Sequence, residues 1–279
     1  MNRSSFQAGA IGIFDSGYGG LTILKDIQEE LSAYDFIYLG DNARAPYGTR
    51  SFEVVYQFTR QAVCRLFEMG CHLVILACNT ASAKALRTIQ QRDLPSIDPQ
   101  RRVLGVIRPT AECVGEITQS RHIGVLGTTG TINSKSYPME INKLYPDIII
   151  HSEACPMWVP LVENGESDSS GADYFVKRHL DALMSRDPQI DTLLLGCTHY
   201  PLLLHKIRQY TPASVRILTQ GMHVARSLKD YLLRHPEMDA KCTRHGTTTY
   251  YTTEDAAFFS RPASLFLGKN IVAHHVTLE

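Results

Sequence analysis

Several features that mark other classes of protein are missing from this 279-residue chain. No segment approaches the roughly 18 consecutive apolar residues of a membrane span, and residues 1–10 lack the apolar core of a signal peptide. Lys plus Arg equals Asp plus Glu, at 28 each, so no overall charge attracts nucleic acid or an anionic membrane. We therefore expect a cytoplasmic protein that binds neither of them.

Motifs for disulfides, metals and dinucleotides are also missing. The seven cysteines are odd in number and include no Cys-x-x-Cys pair, so a disulfide framework is not expected in a chain this long. Cys and His show none of the spacings that hold zinc. Gly17, Gly19 and Gly20 lack the Gly-x-Gly-x-x-Gly spacing that binds NAD. The sequence thus predicts reduced thiols, no metal and no cofactor.

What the chain does have is a regular alternation of short apolar runs and amphipathic stretches. With 44% hydrophobic and 20% charged residues it can bury a sizeable core. Strict alternation of strands and helices predicts an α/β fold with parallel sheets covered on both faces. Predicted strands lie at 11–14, 36–39, 72–77, 103–107, 123–126, 148–151, 193–195, 215–218, 248–252 and 271–276. Predicted helices lie at 21–31, 51–69, 80–92, 110–119, 134–144, 171–185, 200–210 and 223–234, and 255–267 fits either helix or loop.

The chain length and one polar stretch suggest two α/β units. Residues 94–102 contain two prolines and three charged residues, which is typical of a crossing between domains. Each half of the chain carries one cysteine at the end of a predicted strand. If the two halves face one another, these thiols meet across a cleft.

Cys78 and Cys197 have similar surroundings in the sequence. Each follows an apolar run and precedes small polar residues that can begin a helix. Open α/β sheets bind ligands at this edge, and a helix N-terminus there favours a thiolate with a lowered pKa. A free cysteine is most often only a small buried hydrophobe. That simpler interpretation is kept for the remaining five, which are Cys64, Cys71, Cys113, Cys155 and Cys242.

Three neighbouring features have both a structural and a functional interpretation. Asp15 can cap a helix or assist Cys78, and both roles are compatible. His199, two residues after Cys197, can control the protonation of that thiol or simply cap a helix. Residues 127–131, Gly-Thr-Thr-Gly-Thr, follow a predicted strand and could bind an anion with hydroxyls and amides, although turns of this composition are common.

Taken together and in order, these segments resemble glutamate racemases, members of the cofactor-independent aspartate/glutamate racemase superfamily. The resemblance extends over most of the chain up to about residue 205. The segments that carry it are 13–21 (IFDSGYGGL), 40–48 with GD and PYG, 77–82 (ACNTAS), 105–109 (GVIRP), the Gly-Thr segment, 155–163 (CPMWVPLVE) and 196–202 (GCTHYPL).

The resemblance implies a cofactor-independent racemisation of glutamate with two acid/base residues, Cys78 and Cys197, on opposite faces of the substrate Cα. Asp15 would assist Cys78, and His199 with Glu163 would assist Cys197. The residues that match substrate-binding positions of the family are Asp15, Ser16, Pro46, Tyr47, Gly48, Asn79, Thr80, Thr128, Thr131, Thr198 and His199. Of these, Asn79, Thr80 and Thr198 are expected near the α-amino and α-carboxylate groups, and the loops 46–48 and 128–131 near the side-chain carboxylate.

The resemblance also implies an architecture and a cellular role. Two doubly wound parallel-sheet lobes with pseudo-symmetry would enclose the site between them. Residues 1–100 and 213–279 would form the first lobe and residues 101–212 the second. The product would be D-glutamate for peptidoglycan, made by a homodimer. The chain departs from the family pattern at Tyr18, Arg108 and 219–221, none of which is a proposed base.

Other functions remain open from the sequence. An aspartate racemase differs in substrate by one methylene. Cys197 and His199 could instead form the dyad of a thiol hydrolase, which leaves Cys78 unexplained. A cleft that binds dicarboxylates without catalysis is a third hypothesis, and tight glutamate binding without exchange of the Cα proton would favour it.

Overall fold

A computed structural model describes residues 7–279, apart from the side chain of Leu265, so the first six residues of the predicted first lobe lie outside the description. The strands of the described part are β1 (Ile11–Asp15), β2 (Phe36–Gly40), β3 (Leu73–Leu76), β4 (Arg102–Gly105), β5 (His122–Gly127), β6 (Ile149–Ala154), β7 (Thr192–Gly196), β8 (Arg216–Leu218), β9 (Thr248–Thr252) and β10 (Ala273–His275). Every predicted strand is therefore present, with ends that shift by a few residues.

Helices alternate with these strands. They are α1 (Gly20–Glu30), α2 (Phe52–Glu68), α3 (Asn79–Lys84), α4 (Leu86–Thr88), α5 (Leu94–Ile97), α6 (Ile107–Ile117), α7 (Thr129–Asn133), α8 (Ser136–Leu144), α9 (Trp158–Glu163), α10 (Ser170–Met184), α11 (Leu204–Gln209), α12 (Gly221–Arg234), α13 (Pro236–Asp239) and α14 (Ala256–Leu267). None of the helices in residues 7–279 is long and apolar enough to cross a membrane.

In the described residues the strands form two sheets, and every recorded strand pair is parallel. The six-stranded sheet has the order β10-β9-β2-β1-β3-β4, and the four-stranded sheet has the order β6-β5-β7-β8. The predicted α/β class with two parallel sheets is confirmed. The order reverses between β1 and β3 in the six-stranded sheet and between β5 and β7 in the four-stranded sheet. Open α/β sheets bind ligands in the crevice at such a switch point.

The sheets do not follow the predicted domain boundaries. With divisions at residues 101 and 213, β4 would belong to the second lobe and β8 to the first. Instead β4 pairs with β3 in the six-stranded sheet, and β8 pairs with β7 in the four-stranded sheet. Strand β4 is an edge strand of the six-stranded sheet, and the chain then passes through α6 to the four-stranded sheet. Strand β8 is an edge strand of the four-stranded sheet, and the chain then returns through α12 to the six-stranded sheet. The interpretation of 94–102 as a crossing is wrong, because α5 and a turn lead into β4 there.

Alternation along the strands explains why both sheets are covered by helices on two faces. In the first sheet Ile11 and Ile13 face one apolar cluster, which includes residues of α1 and α12. Phe14 faces the cluster on the opposite side of the sheet, which includes residues of α2. In the second sheet Ile123 and Val125 face one cluster and Leu126 the opposite one. The polar residues at the carboxyl ends of the strands lie outside these apolar clusters and are available to form a binding site.

Helix ends follow their capping residues. Ser51 accepts a hydrogen bond from Val54 N at 3.3 Å and begins α2 as predicted. Asp255 accepts from Phe258 N at 2.8 Å, and Gly268 ends the helix with a φ of +67°, so the ambiguous segment 255–267 is helical. The helix predicted at 80–92 is instead broken into α3, α4 and a π-helical turn at Ile89–Asp93. Four short helices were not among those predicted, namely α5, α7, α9 and α13.

Candidate active site

Both sheets direct the ends of their middle strands to one cleft. Asp15 is the last residue of β1 and Cys78 follows β3 closely, while Thr128 follows β5 and Cys197 follows β7. These strands flank the two switch points. The site is therefore assembled from equivalent positions of two sheets, which carry a cysteine after β3 and after β7 but different residues at the ends of β1 and β5.

The cleft contains most of the residues that the sequence analysis singled out. Two of them, Asp15 and Thr131, are buried but do not line it. The lining residues are Ser16, Ala45, Pro46, Tyr47, Gly48, Thr49, Cys78, Asn79, Thr80, Thr128, Thr129, Pro156, Val159, Pro160, Glu163, Cys197, Thr198 and His199. Cys78 and Cys197 are each 6% exposed, so both thiols reach the cleft from a largely buried position.

Cys78 caps the helix that follows it. Its Sγ accepts a hydrogen bond from Ala81 N at 3.4 Å and lies 3.4 Å from Ser16 Oγ. These two contacts favour the thiolate, but burial and the neighbouring Asp15 outweigh them and raise the pKa of Cys78 to about 12. The expectation of a lowered pKa is thus wrong for this thiol, because the helix N-terminus is weaker than desolvation together with a nearby negative charge.

Asp15 lies behind Cys78 and is completely buried. Its Oδ2 accepts a hydrogen bond from Gly17 N at 2.9 Å, and its Oδ1 has no partner in the described protein. Burial raises the pKa of Asp15, and the positive charge of His199 partly opposes that shift. The carboxyl group therefore holds the turn before α1 and also influences the charge of Cys78. The prediction that Asp15 caps the helix is wrong, because the N-cap residue of α1 is Gly19 and no side chain caps that helix.

Cys197 has a cationic neighbour instead. Its Sγ lies 3.9 Å from His199 Nδ1, and His199 Nε2 lies 2.9 Å from Glu163 Oε1. Burial lowers the pKa of His199, but the contacts with Cys197 and Glu163 more than compensate and raise that pKa to about 10. At neutral pH an imidazolium held by a carboxylate faces the sulfur, and a cation there stabilises a thiolate.

Hydroxyl groups from the two sheets meet on another wall of the cleft. Thr128 caps α7 by accepting from Thr131 N at 3.2 Å, and its Oγ1 lies 3.0 Å from Thr80 Oγ1 on α3. Gly130 N donates to Gly48 O at 2.7 Å, which joins the 46–48 loop to the second sheet. The Gly-Thr segment thus supplies hydroxyls and a helix N-terminus to the cleft, although Thr131 does not line it and contacts Thr128 and Thr80 from behind.

The turn after β1 has to be small because it approaches the other half of the site. A Cβ on Gly19 would overlap Thr198 Oγ1 and His199 Nδ1. Thr22 Oγ1 donates to Thr198 O at 3.0 Å, so the same turn also holds the segment after Cys197. Glycine at position 19 therefore allows the first sheet to support the position of His199.

Two groups behind the cleft were missed by sequence reasoning. Asp41 is buried, accepts a hydrogen bond from the Tyr47 hydroxyl and forms an ion pair with Arg44 at 2.7 Å, which anchors the 46–48 loop. Gln220 and Tyr137 contact Asn79. Asp41 occurs in a matched segment, but nothing in the sequence signals that Gln220 approaches residue 79.

The departures from the family pattern have ordinary surroundings in two cases. Tyr18 stacks on Phe259 of α14 with ring centroids 5.1 Å apart. Arg108 forms an exposed ion pair with Glu112 at 2.9 Å, one helical turn away. Within residues 7–279 no group of three or more His, Cys, Asp or Glu side chains is arranged to hold a metal ion.

Comparisons with known proteins agree on one family. A family model described as Asp/Glu/Hydantoin racemase matches residues 11–225. A protein named glutamate racemase from Geobacter metallireducens is 39% identical over 272 residues, with 97% of each chain covered. Many further curated proteins match, so the similarity is not confined to one organism.

Solved structures give the same picture. The crystal structure of glutamate racemase isoform RacE1 from Bacillus anthracis has a TM-score of 0.88 and 34% identity, and it covers 97% of this chain and 98% of its own. A glutamate racemase from Francisella tularensis, crystallised in complex with D-glutamate, has a TM-score of 0.84 and 30% identity, with 98% of this chain and 97% of its own covered.

Proposed function

Because the chain belongs to the Asp/Glu/Hydantoin racemase family and is an amino-acid racemase, we propose that it interconverts L- and D-glutamate without a cofactor. Cys78 and Cys197 are the two acid/base residues of this proposal. The observation that carries it is that two thiols, each from the switch point of a different sheet, line one cleft. A racemase needs this arrangement, since a proton must leave one face of Cα and another must arrive on the opposite face.

The proton transfers balance over one turnover. One cysteine, as thiolate, takes the Cα proton and becomes a thiol, while the electron pair of the C–H bond remains on the substrate as a carbanion. The other cysteine, as thiol, gives its proton to the opposite face and becomes a thiolate. The products are the mirror-image amino acid and an enzyme whose two cysteines have exchanged protonation states.

The surroundings of the thiols assign the starting roles. A pKa of about 12 keeps Cys78 protonated at neutral pH, which makes it the acid. Cys197 is the proposed base, because its Sγ faces the imidazolium of His199 at 3.9 Å. Turnover in the reverse direction needs the other pair of states, with a negative charge on Cys78 beside Asp15. Ser16 Oγ and Ala81 N are the donors that stabilise that charge.

The carbanion-like transition state needs donors that are in place before the reaction. Ser16, Asn79, Thr80 and Thr198 are the proposed partners of the α-amino and α-carboxylate groups. The loops 46–48 and 128–131 are the proposed partners of the side-chain carboxylate. Their hydroxyls and the N-terminus of α7 supply donors for an anion. Pro156, Val159 and Pro160 line the same cleft and reduce the access of water.

Three further parts of the proposal rest on family resemblance alone. They are the supply of D-glutamate for peptidoglycan, a cytoplasmic location and a homodimer. Analytical ultracentrifugation of the purified chain tests the homodimer directly, and a monomer at micromolar concentration would contradict it.

The activity is tested with purified protein, L-glutamate and no added cofactor, in heavy water. We expect loss of optical rotation to a racemic mixture and one deuterium at Cα of the product. L-aspartate serves as the comparison substrate, because one methylene changes binding by about 1–3 kcal/mol. Binding of glutamate without deuterium exchange would contradict the proposal, and faster turnover of aspartate would contradict the choice of substrate.

A further inference from the structure

Gln220 connects the second sheet to the residue that follows Cys78. It lies between β8 and α12, is 2% exposed, and accepts a hydrogen bond at Oε1 from Asn79 Nδ2 at 2.6 Å. Asn79 begins α3 and lines the cleft. The contact joins residues that are 141 positions apart in sequence, and it belongs to a larger buried network.

Three side chains of this network form a closed ring. Gln220 Nε2 donates to the Tyr137 hydroxyl at 2.7 Å, and Tyr137 donates to Asn79 Oδ1 at 2.6 Å. The bond from Asn79 Nδ2 to Gln220 Oε1 closes the ring. All three side chains are almost completely buried, and a buried polar network in which each member has its partners holds one geometry.

The direction of every bond in the ring follows from one hydroxyl outside it. Thr110 Oγ1 donates its hydrogen to Val106 O at 2.7 Å. Thr110 Oγ1 can therefore only accept from Gln220, whose nitrogen lies 2.9 Å away. With the amide nitrogen of Gln220 placed, its oxygen must face Asn79. A rotated Asn79 would bring two carbonyl oxygens to 2.6 Å with no hydrogen between them.

This orientation determines what Asn79 offers to the cleft. Its oxygen is used by Tyr137, and one of its two amide hydrogens is used by Gln220. The second amide hydrogen has no acceptor within residues 7–279 and is left for a ligand. We propose that Gln220 is a positioning residue, which holds the carboxamide of Asn79 so that it donates an N–H to a carboxylate of the substrate.

The inference rests on the proposed function for the identity of the substrate, but its geometry can be tested without turnover. A role in packing alone would change stability without changing substrate affinity. Gln220→Met keeps the side-chain volume and removes the amide, and Tyr137→Phe removes one hydroxyl from the same ring. Gln90→Met is the matched control, because Gln90 Nε2 donates to Val103 O at 2.8 Å and does not contact the ring.

The kinetic test measures KM and kcat for glutamate. We expect Gln220→Met and Tyr137→Phe to raise KM roughly tenfold, equivalent to about 1.4 kcal/mol, and to change kcat less, because Asn79 holds the substrate in the ground state as well as in the transition state. Gln90→Met should leave both constants unchanged. An unchanged KM in the two ring variants would overturn the inference. Tyr137→Phe keeps the test decisive if Gln220→Met does not fold.

A double-mutant cycle shows whether the effect passes through Asn79. Once Asn79→Ala has removed the carboxamide, adding Gln220→Met should cause no further rise in KM. A rise of the same size in both backgrounds would show that Gln220 acts by another route, and would overturn the inference while leaving the proposed function intact.

A third measurement separates failure of the inference from failure of the proposed function. In ¹⁵N NMR spectra of the free protein, one side-chain amide hydrogen of Asn79 should exchange slowly with solvent, and Gln220→Met should abolish that protection. Fast exchange in the wild type would overturn the inference even if glutamate is racemised. Slow exchange with no turnover of glutamate would instead contradict only the proposed function.

Discussion

The two halves of the cleft are built alike and charged oppositely. Cys78 has a buried carboxyl group behind it, with one oxygen that lacks a partner in the described protein. Cys197 has an imidazole beside it, which is itself held by Glu163. Both thiols stand just after a central parallel strand. Equivalent backbone positions therefore carry opposite electrostatic surroundings.

The difference shows how one pair of identical side chains can perform two tasks. Burial and the carboxyl group of Asp15 raise the pKa of Cys78, whereas Cys197 faces a histidine whose own pKa is raised, so the proposed acid and the proposed base have different electrostatic surroundings. Two cysteines in identical surroundings would share one protonation state, and only a small fraction of molecules would carry the required pair. Three changes test this comparison.

The largest effect is expected when either thiol is removed. Cys78→Ala and Cys197→Ala should each lower kcat for racemisation by at least about 10²-fold to 10⁴-fold, since each deletes an acid/base group. The remaining thiol can still exchange the Cα proton on its own face, so the two variants should incorporate deuterium into opposite enantiomers without inversion. Chiral chromatography with mass spectrometry measures both quantities.

Cys64→Ala is the control for these variants, because Cys64 lies on α2 away from the cleft. It should racemise glutamate at the wild-type rate. Full racemisation by Cys78→Ala or by Cys197→Ala would refute the two-base assignment. Exchange of the same enantiomer by both variants would refute the assignment of opposite faces.

A smaller effect is expected from Gly19→Ala. Gly19 lies in the turn after β1 of the six-stranded sheet, but the substitution disturbs residues next to Cys197, which follows β7 of the four-stranded sheet. The new Cβ overlaps His199 and Thr198, so the imidazole must move away from Cys197. A displacement of about 1 Å at a reacting group can cost roughly 10²-fold in rate. Because the equilibrium between mirror images is unity, kcat/KM must fall equally in both directions, and initial rates from each enantiomer check this.

Gly17→Ala is the matched control in the same turn. A Cβ at position 17 would lie 3.5 Å from Glu163 Oε1, which is an ordinary contact, so the rate should not change. Equal losses in Gly17→Ala and Gly19→Ala would mean that the turn, and not the position of His199, is responsible.

The smallest effect is expected from Asp15→Asn, which removes the negative charge from the Cys78 half. The pKa of Cys78 should fall, yet stay above the usual value of about 8.5, because burial is the larger cause of its shift. The pH dependence of Cys78 alkylation by iodoacetamide, followed on the tryptic peptide, measures the change. An unchanged profile would show that Asp15 does not control the charge of this thiol.

The same variant makes a prediction about stability. Burial raises the pKa of Asp15 in the folded state above its ordinary value of 3.8, so the folded state binds this proton more tightly than the unfolded state. This contribution is fully present below pH 3.8 and is lost as the pH rises through the folded-state pKa. The thermal midpoint of Asp15→Asn minus that of the wild type should therefore increase as the pH rises. A difference independent of pH would contradict the raised pKa of Asp15 in the folded state.

Much of the fold could be predicted because its signals are local. Apolar runs such as 72–77 are long enough to indicate buried strands, and Ser51 and Asp255 cap helices as their side chains allow. The helix predicted at 80–92 failed, because the pattern of apolar residues cannot show where a helix shifts to π-type bonding. The domain boundaries at 101 and 213 were displaced from the sheets, because which sheet a strand joins depends on pairing between distant segments.

The candidate site was predicted in composition but not in electrostatics. Cys78 and Cys197 were identified from the residues that follow them, and the structure places both in one cleft. The raised pKa of Cys78 could not be inferred, because it depends on burial and on the distance to Asp15. Gln220 was noticed only as a departure from a pattern, and its contact with Asn79 spans 141 residues.

The strands, the parallel sheets and the two thiols at strand ends could be read from the amino-acid sequence, because periodicity and the residues that follow a strand act over short distances. The raised pKa values of Cys78 and His199 and the contact of Gln220 with Asn79 could not. These properties arise from desolvation and from contacts shorter than about 4 Å between distant parts of the chain, and no local pattern records such distances.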